Sequence, residues 1–166
     1  MSTPRLTYCS VTNFLRCGDE YLFIHRSPNR KVDPNRLNGI GGKLEPGENY
    51  VDAALRETHE ETGYNVQKQD VRFIGVGRLE GGYQEDWVMT FFEIEVSSKE
   101  IPIGASTREG ELVWLTADQA LHSTYELVDD LKIILPQLAS GKVPFFFSSI
   151  VNTQEKIESY TLTALS

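Results

Sequence analysis

The amino-acid sequence predicts an α/β fold of the α+β kind, with a few helices packed on a mixed β-sheet. Three observations carry that expectation. Segments rich in Val, Thr, Tyr and Phe that alternate apolar with polar residues outnumber the helical segments. The strands come in runs and do not alternate one for one with helices, which argues against a doubly wound sheet. A chain of 166 residues, 40% hydrophobic and 24% charged, can bury a sizeable core and has no collagen, coiled-coil or disorder signature. No internal repeat or Pro/Ser-rich linker divides the chain, so residues 1–166 are expected to form one domain.

Taken in order, Leu6 to Leu15 and Tyr21 to His25 alternate on either side of a Cys-Gly-Asp-Glu turn and predict a β-hairpin. Ser27 to Asn38, with two prolines and three asparagines, is loop chemistry and leads into the Gly-rich stretch Asn38 to Lys43. Tyr50 to Thr62 is a helix, with Asn49 as N-cap and Gly63 where a left-handed glycine ends it. Val71 to Arg78 and Trp87 to Val96 pair around the Glu80-Gly81-Gly82-Tyr83 turn, and Glu111 to Leu115 is a short strand. A second helix is expected from Tyr125 to Leu138, kinked or cut short by Pro136 and stopped by Gly141. Val143 to Ile150 and Lys156 to Thr163 close the pattern as strands.

Sixteen Lys and Arg against 24 Asp and Glu leave a formal charge of −8, the wrong sign for coating a nucleic-acid duplex or an anionic membrane. An anionic substrate therefore needs cations to mediate. No run approaches the roughly 18 apolar residues of a membrane span, and the first residues lack a secretory apolar stretch. The cytoplasm is the default location. Cys9 and Cys17 make neither a CxxC pair nor a metal-ligand set and are expected to be buried, unreactive thiols.

The first helix carries the chemistry. At 100° per residue Val51, Ala54, Leu55, Thr58 and Thr62 share one buried arc, while Glu57, Glu60 and Glu61 project side by side on the next. Three adjacent carboxylates repel one another, so either water screens them or a cation sits between them. Oxygen donors suit Mg²⁺, with Mn²⁺ as a substitute. Gly41 and Gly42, Glu45 and Glu48 precede the helix, and Arg56 stands four residues before Glu60, able to pair with it.

Gly42, five residues, Glu48, seven residues, then Arg56-Glu57-Thr58-His59-Glu60-Glu61-Thr62-Gly63-Tyr64 resembles the 23-residue signature of the Nudix hydrolases. Thr58 departs from the aliphatic residue usual there, a change that bears on packing and leaves the carboxylates alone; Tyr64 is a second, minor departure. The resemblance implies an α/β/α sandwich and Mg²⁺-dependent hydrolysis of a nucleoside diphosphate linked to another group. Carried over, Glu57, Glu60, Glu61 and the Gly41 carbonyl would hold metal, and Arg56 would orient a glutamate. The general base would be one of the helix carboxylates or the loop acid Glu109, with Glu111 as its rival.

Asn38 to Lys43, the strand around Trp114, and Leu127-Val128-Asp129-Asp130 are similar to stretches of the MutT-type oxidised-purine nucleoside triphosphatases, 8-oxo-dGTP diphosphatases among them. By that likeness Asn38, Asp129 and Asp130 would read the purine edge, although Leu127 stands where those relatives carry a stacking tryptophan. Lys43 and Arg26 would meet phosphates, and Trp87 and Trp114 are expected to be core aromatics. The expected partner is a small nucleotide, with no membrane, and with the chain a monomer or homodimer. An RNA 5′-end, dinucleotide or nucleotide sugar is the alternative substrate, with a loop patch of Arg26, Arg30, Lys31 and Arg36 as the place for RNA. A non-catalytic nucleotide-sensing regulator is the rival of another class; such proteins lose signature glutamates, which are all present here.

Overall fold

The computed structural model describes residues 3–166. Its elements are β1 (Thr7–Cys17), β2 (Glu20–Arg26), β3 (Arg36–Asn38), β4 (Ile40–Lys43), α1 (Tyr50–Thr62), β5 (Val71–Gly81), β6 (Asp86–Glu95), β7 (Gly110–Thr116), α2 (Ala117–Leu121), β8 (Glu126–Leu127), α3 (Leu131–Ser140), β9 (Phe145–Val151) and β10 (Ile157–Ala164). The strands form one sheet in the order β10-β9-β5-β6-β1-β2-β3-β8, with β4 also on β1 and β7 also on β2. β1/β6, β5/β9 and β3/β8 are parallel and the other pairs antiparallel, so the sheet is mixed as expected.

Period-two alternation explains the layers. Val11, Leu15, Leu22, Ile24, Phe92 and Ile94 point to one face and pack with Ala53 and Ala54 of α1. Phe14, Phe23, Phe91, Phe145 and Phe147 point to the other and pack with α2 and with Leu131, Ile134 and Leu138 of α3. Helices on both faces make an α/β/α sandwich, and the α+β class holds.

Helix α1 runs as predicted. The Asn49 side chain accepts from the Asp52 N–H at 3.0 Å, and Gly63 closes the helix at φ 79°. Thr58 is fully buried, and its hydroxyl has a partner: Asn13 on β1 donates through Nδ2 to Thr58 Oγ1 at 3.0 Å and to the Ala54 carbonyl at 2.9 Å. That polar clasp across the helix–sheet interface accounts for a hydroxyl where an aliphatic residue is usual.

Two expectations are corrected. The helix predicted from Tyr125 begins only at Leu131, because Glu126 and Leu127 pair in parallel with Arg36 and Leu37 as an edge strand. Pro136 does not end it. Pro136 and Lys132, whose carbonyl loses its intrahelical donor, both lie on the exposed side of α3, where water can replace that bond. The two cysteines are free as expected, yet half-buried. Among the described residues no helix is long and apolar enough to cross a membrane.

Candidate active site

A cleft of about 1290 Å³ opens along the sheet between β4, α1 and the loops that precede β3, β7 and α3. Glu57, Glu60 and Glu61 enter it from one side of α1 because their spacing places them on one helical stripe. Gly42 on β4 lets them in: a Cβ there would lie 2.4 Å from Glu57 Oε1. Gly41 is as tightly placed, since its Cβ would meet the Val11 carbonyl oxygen at 2.0 Å.

Arg56 sits behind this wall and binds it together. Its Nε donates to Glu48 Oε2 at 2.7 Å, Nη1 to Glu57 at 2.8 Å and Glu60 at 3.2 Å, and Nη2 to Glu48 Oε1 at 2.9 Å and the Lys43 carbonyl at 3.1 Å. The guanidinium holds Glu48 down at about 2. Glu57 moves the other way: burial raises it against the pull of Arg56. Burial and the charges of Glu57 and Glu109 push Glu61 up to about 8, against the Gly41 backbone and Arg26. Among the described residues Glu61 forms no ion pair, whereas Glu109 is held by Arg30 at 2.8 Å. Glu111 turns away and accepts from Ser106 Oγ at 2.6 Å.

Lys43 borders the glutamates. Its ammonium lies 4.1 Å from the Tyr8 ring centroid and 5.3 Å from that of Trp87, and among the described residues it forms no ion pair. Arg26 also lines the cleft and donates through Nε to the Val32 carbonyl at 2.9 Å. At the far end stand Asn38, Asp129 and Asp130. Asn38 Oδ1 accepts from the Gly39 N–H at 2.8 Å, which leaves its amide donors for the cleft. Asp129 Oδ2 accepts from the Ile157 N–H at 2.9 Å and Oδ1 from Lys132 at 3.3 Å. Burial raises Asp129, but Ile157, Lys132 and Lys156 outweigh it and hold the carboxyl below its ordinary value. Burial and the Asp33 charge push Asp130 up to about 7. One carboxyl of the pair is a fixed acceptor and the other can keep a proton near neutrality.

The family model described as the NUDIX domain matches residues 8–138, most of the chain and all of the glutamate wall. The chain belongs to the Nudix family. As a Nudix hydrolase it acts on acid anhydrides of phosphorus. It is similar to a mutator MutT protein from Bacillus halodurans at 20% identity, covering 93% of this chain and 97% of that one with a TM-score of 0.77. A MutT NUDIX hydrolase from Burkholderia pseudomallei is similar at 22% identity, 79% and 97% coverage and TM-score 0.65. A MutT protein from Methanosarcina mazei matches at 19%, 84% and 98%, and 0.64. These likenesses establish a MutT-like fold.

Of the eleven site residues expected from sequence, this Nudix chain brings ten to one cleft; Arg56 alone stands outside its lining. Three of the four loop cations expected to form an RNA-facing patch are drawn into contacts of their own, Arg26 on Val32, Arg30 on Glu109 and Arg36 on Asp33 and Glu126. Leu127 is buried in the core. Trp114 packs against the α1-side core, as expected. Trp87 does not fit the core expectation alone: it packs against the α3-side core and also lines the cleft. Asp33 and Tyr83, which sequence reasoning passed over, face the cleft too. Asp33 sits at φ 46°, an uncommon backbone state that Asp tolerates better than most residues, and the Asp-Pro-Asn turn sequence was its one local signal.

Proposed function

We propose that this Nudix hydrolase is a Mg²⁺-dependent nucleoside triphosphate pyrophosphohydrolase that cleaves a (d)NTP to the monophosphate and pyrophosphate, with an oxidised purine such as 8-oxo-dGTP as its preferred base. The observation that carries it is the split pair Asp129/Asp130 at one end of a cleft whose other end is a wall of glutamates. A guanine-type edge presents an acceptor oxygen beside N–H donors, which a protonated carboxyl and an ionised one can meet together.

Buried carboxylates raised by their own burial and repulsion, all offering oxygen, fit a hard divalent cation. Glu57, Glu60, Glu61 and the Gly41 carbonyl would hold it. Mg²⁺ keeps several waters and shares its shell with substrate phosphate, so it does not need a closed cage of protein ligands. When bound, Mg²⁺ or Mn²⁺ would supply charge neutralisation of the diphosphate and acidify a water.

The residues supply the rest. Hydrolysis forms one water O–P bond, breaks one anhydride P–O bond and must place the water's proton. Among the described residues Glu61 forms no ion pair, while Arg30 engages the Glu109 carboxylate, so a carboxylate of the helix is the better placed acceptor. Arg56 keeps Glu57 and Glu60 in place through two direct hydrogen bonds, and Lys43 is free to meet phosphate. The same reading takes residues 1–166 as one domain working on a cytoplasmic nucleotide pool.

The test is a panel of 8-oxo-dGTP, dGTP, ATP, ADP-ribose, NADH and a triphosphate-ended RNA incubated with Mg²⁺, with pyrophosphate and phosphate measured separately. Pyrophosphate released chiefly from the oxidised purine, and abolished by EDTA, is the expected result. Preference for another panel member would overturn the substrate; nucleotide binding without turnover would make the protein a regulator.

A further inference from the structure

Trp87 sits where a nucleotide would have to lie between the two ends of the cleft. It is half-buried on β6, directly across from Leu79 on β5, with Met89 two residues on along the same face; all three line the cleft. On its other side the parallel register sets it opposite Tyr8, ring centroids 5.3 Å apart at 55°. The Lys43 ammonium lies over both rings, closer to Tyr8, and Tyr8 and Trp87 both line the cleft. One edge of this apolar floor meets Lys43 and Gly42, beside the glutamates. The other runs towards Tyr83 and Asp130. A flat π-face between a phosphate-seeking cation and a polar edge-reading pair is the arrangement a purine ring needs.

We propose that Trp87 is the stacking platform of the nucleotide base and a determinant of base affinity. This rests on the nucleotide reading above. The indole takes the ring face, Asp129 and Asp130 take the edge, and Lys43, anchored on Tyr8, takes the diphosphate.

The chain has two tryptophans, so Trp114→Phe leaves Trp87 as the sole indole reporter. Fluorescence and calorimetry are read with Mg²⁺ and an α,β-methylene analogue of dGTP, and with inorganic tripolyphosphate. The expected result is quenching by the nucleotide analogue and none by tripolyphosphate. Trp87→Leu, folded by its thermal transition, binds the nucleotide analogue about tenfold more weakly and tripolyphosphate unchanged, and Trp87→Phe recovers most of the loss. Undiminished nucleotide binding by Trp87→Leu overturns the stacking role and leaves the nucleotide reading standing. Equal losses for both ligands also overturn it, since Trp87 would then act through Lys43. Failure of the wild type to bind either the nucleotide analogue or 8-oxo-dGTP removes the nucleotide reading and this inference with it.

Discussion

At the glutamate end of the cleft one guanidinium gathers five acceptor atoms, four from glutamates on or just before a single helix and one from the Lys43 carbonyl on β4, whereas at the far end Asp33, Tyr83, Asp129 and Asp130 arrive from separate loops. The first end is fixed by covalent spacing: i, i+3 and i+4 on α1, with a glycine cut to fit. The second is fixed by how distant strands happen to meet. Reaction chemistry is thus carried by a rigid local unit, and selectivity by contacts that can be altered one at a time without disturbing it.

The most severe way to break the contrast is at the local unit. Glu61→Gln and Glu60→Gln should lower kcat by about 10²–10³ while the nucleotide analogue still binds, checked by steady-state rates beside calorimetry. Gly42→Ala should follow, since its methyl would occupy the space of Glu57 Oε1; roughly tenfold loss of kcat is expected with a folded chain by circular dichroism. Full activity in Gly42→Ala would mean that the Glu57 carboxylate is not needed where it stands.

Asp130→Asn probes the far end and should be milder. It keeps an N–H donor but cannot ionise, so kcat should change only a few-fold while the preference between oxidised and ordinary purine shifts. Its stability effect has a definite sign. Because the folded value is raised to about 7, the wild type loses stability as pH rises from its ordinary value of 3.8 through 7. Asp130→Asn should therefore melt roughly a few degrees higher than wild type at about pH 8 and equally at about pH 4. The smallest effect belongs to Glu48→Gln. With Glu48 depressed to about 2 from an ordinary 4.5, the stability gained from Arg56 is present above 4.5 and lost as pH falls towards 2. Thermal midpoints of variant and wild type should differ near neutrality and converge in acid.

The contrast also governs how much was legible in the sequence. Helix α1, its Asn49 cap, its Gly63 stop and its three glutamates follow from period, capping chemistry and spacing, which are local. The strands β5, β6, β7, β9 and β10 follow from alternation. Glu126 and Leu127 did not, because their pattern continues the helical period of α3 and only pairing with Arg36 and Leu37, some 90 residues earlier, pulls them into the sheet. That Trp87, besides packing on the core, also lines the cleft is not legible in the sequence for a related reason. Alternation tells which face a residue shares, not where a covering helix ends, and Trp87 lies at the margin of the α3-side core where the sheet opens into the cleft. The Arg30–Glu109 pair and the approach of Asp33 to Asp130 join loops with no local signal between them.

One bond at the far end ties selection to the end of the chain. Asp129 Oδ2 accepts from Ile157, the first residue of β10, so the carboxylate proposed to read the base also moors the outermost strand of the sheet. β10 is held to β9 by its own ladder, and the Ile157 hydrogen bond is the link from that strand to Asp129, so a protease nick in residues 152–156 that loosens the start of β10 is expected to free Asp129. Peeling the sheet's margin should detune what the enzyme chooses before it slows what the enzyme does.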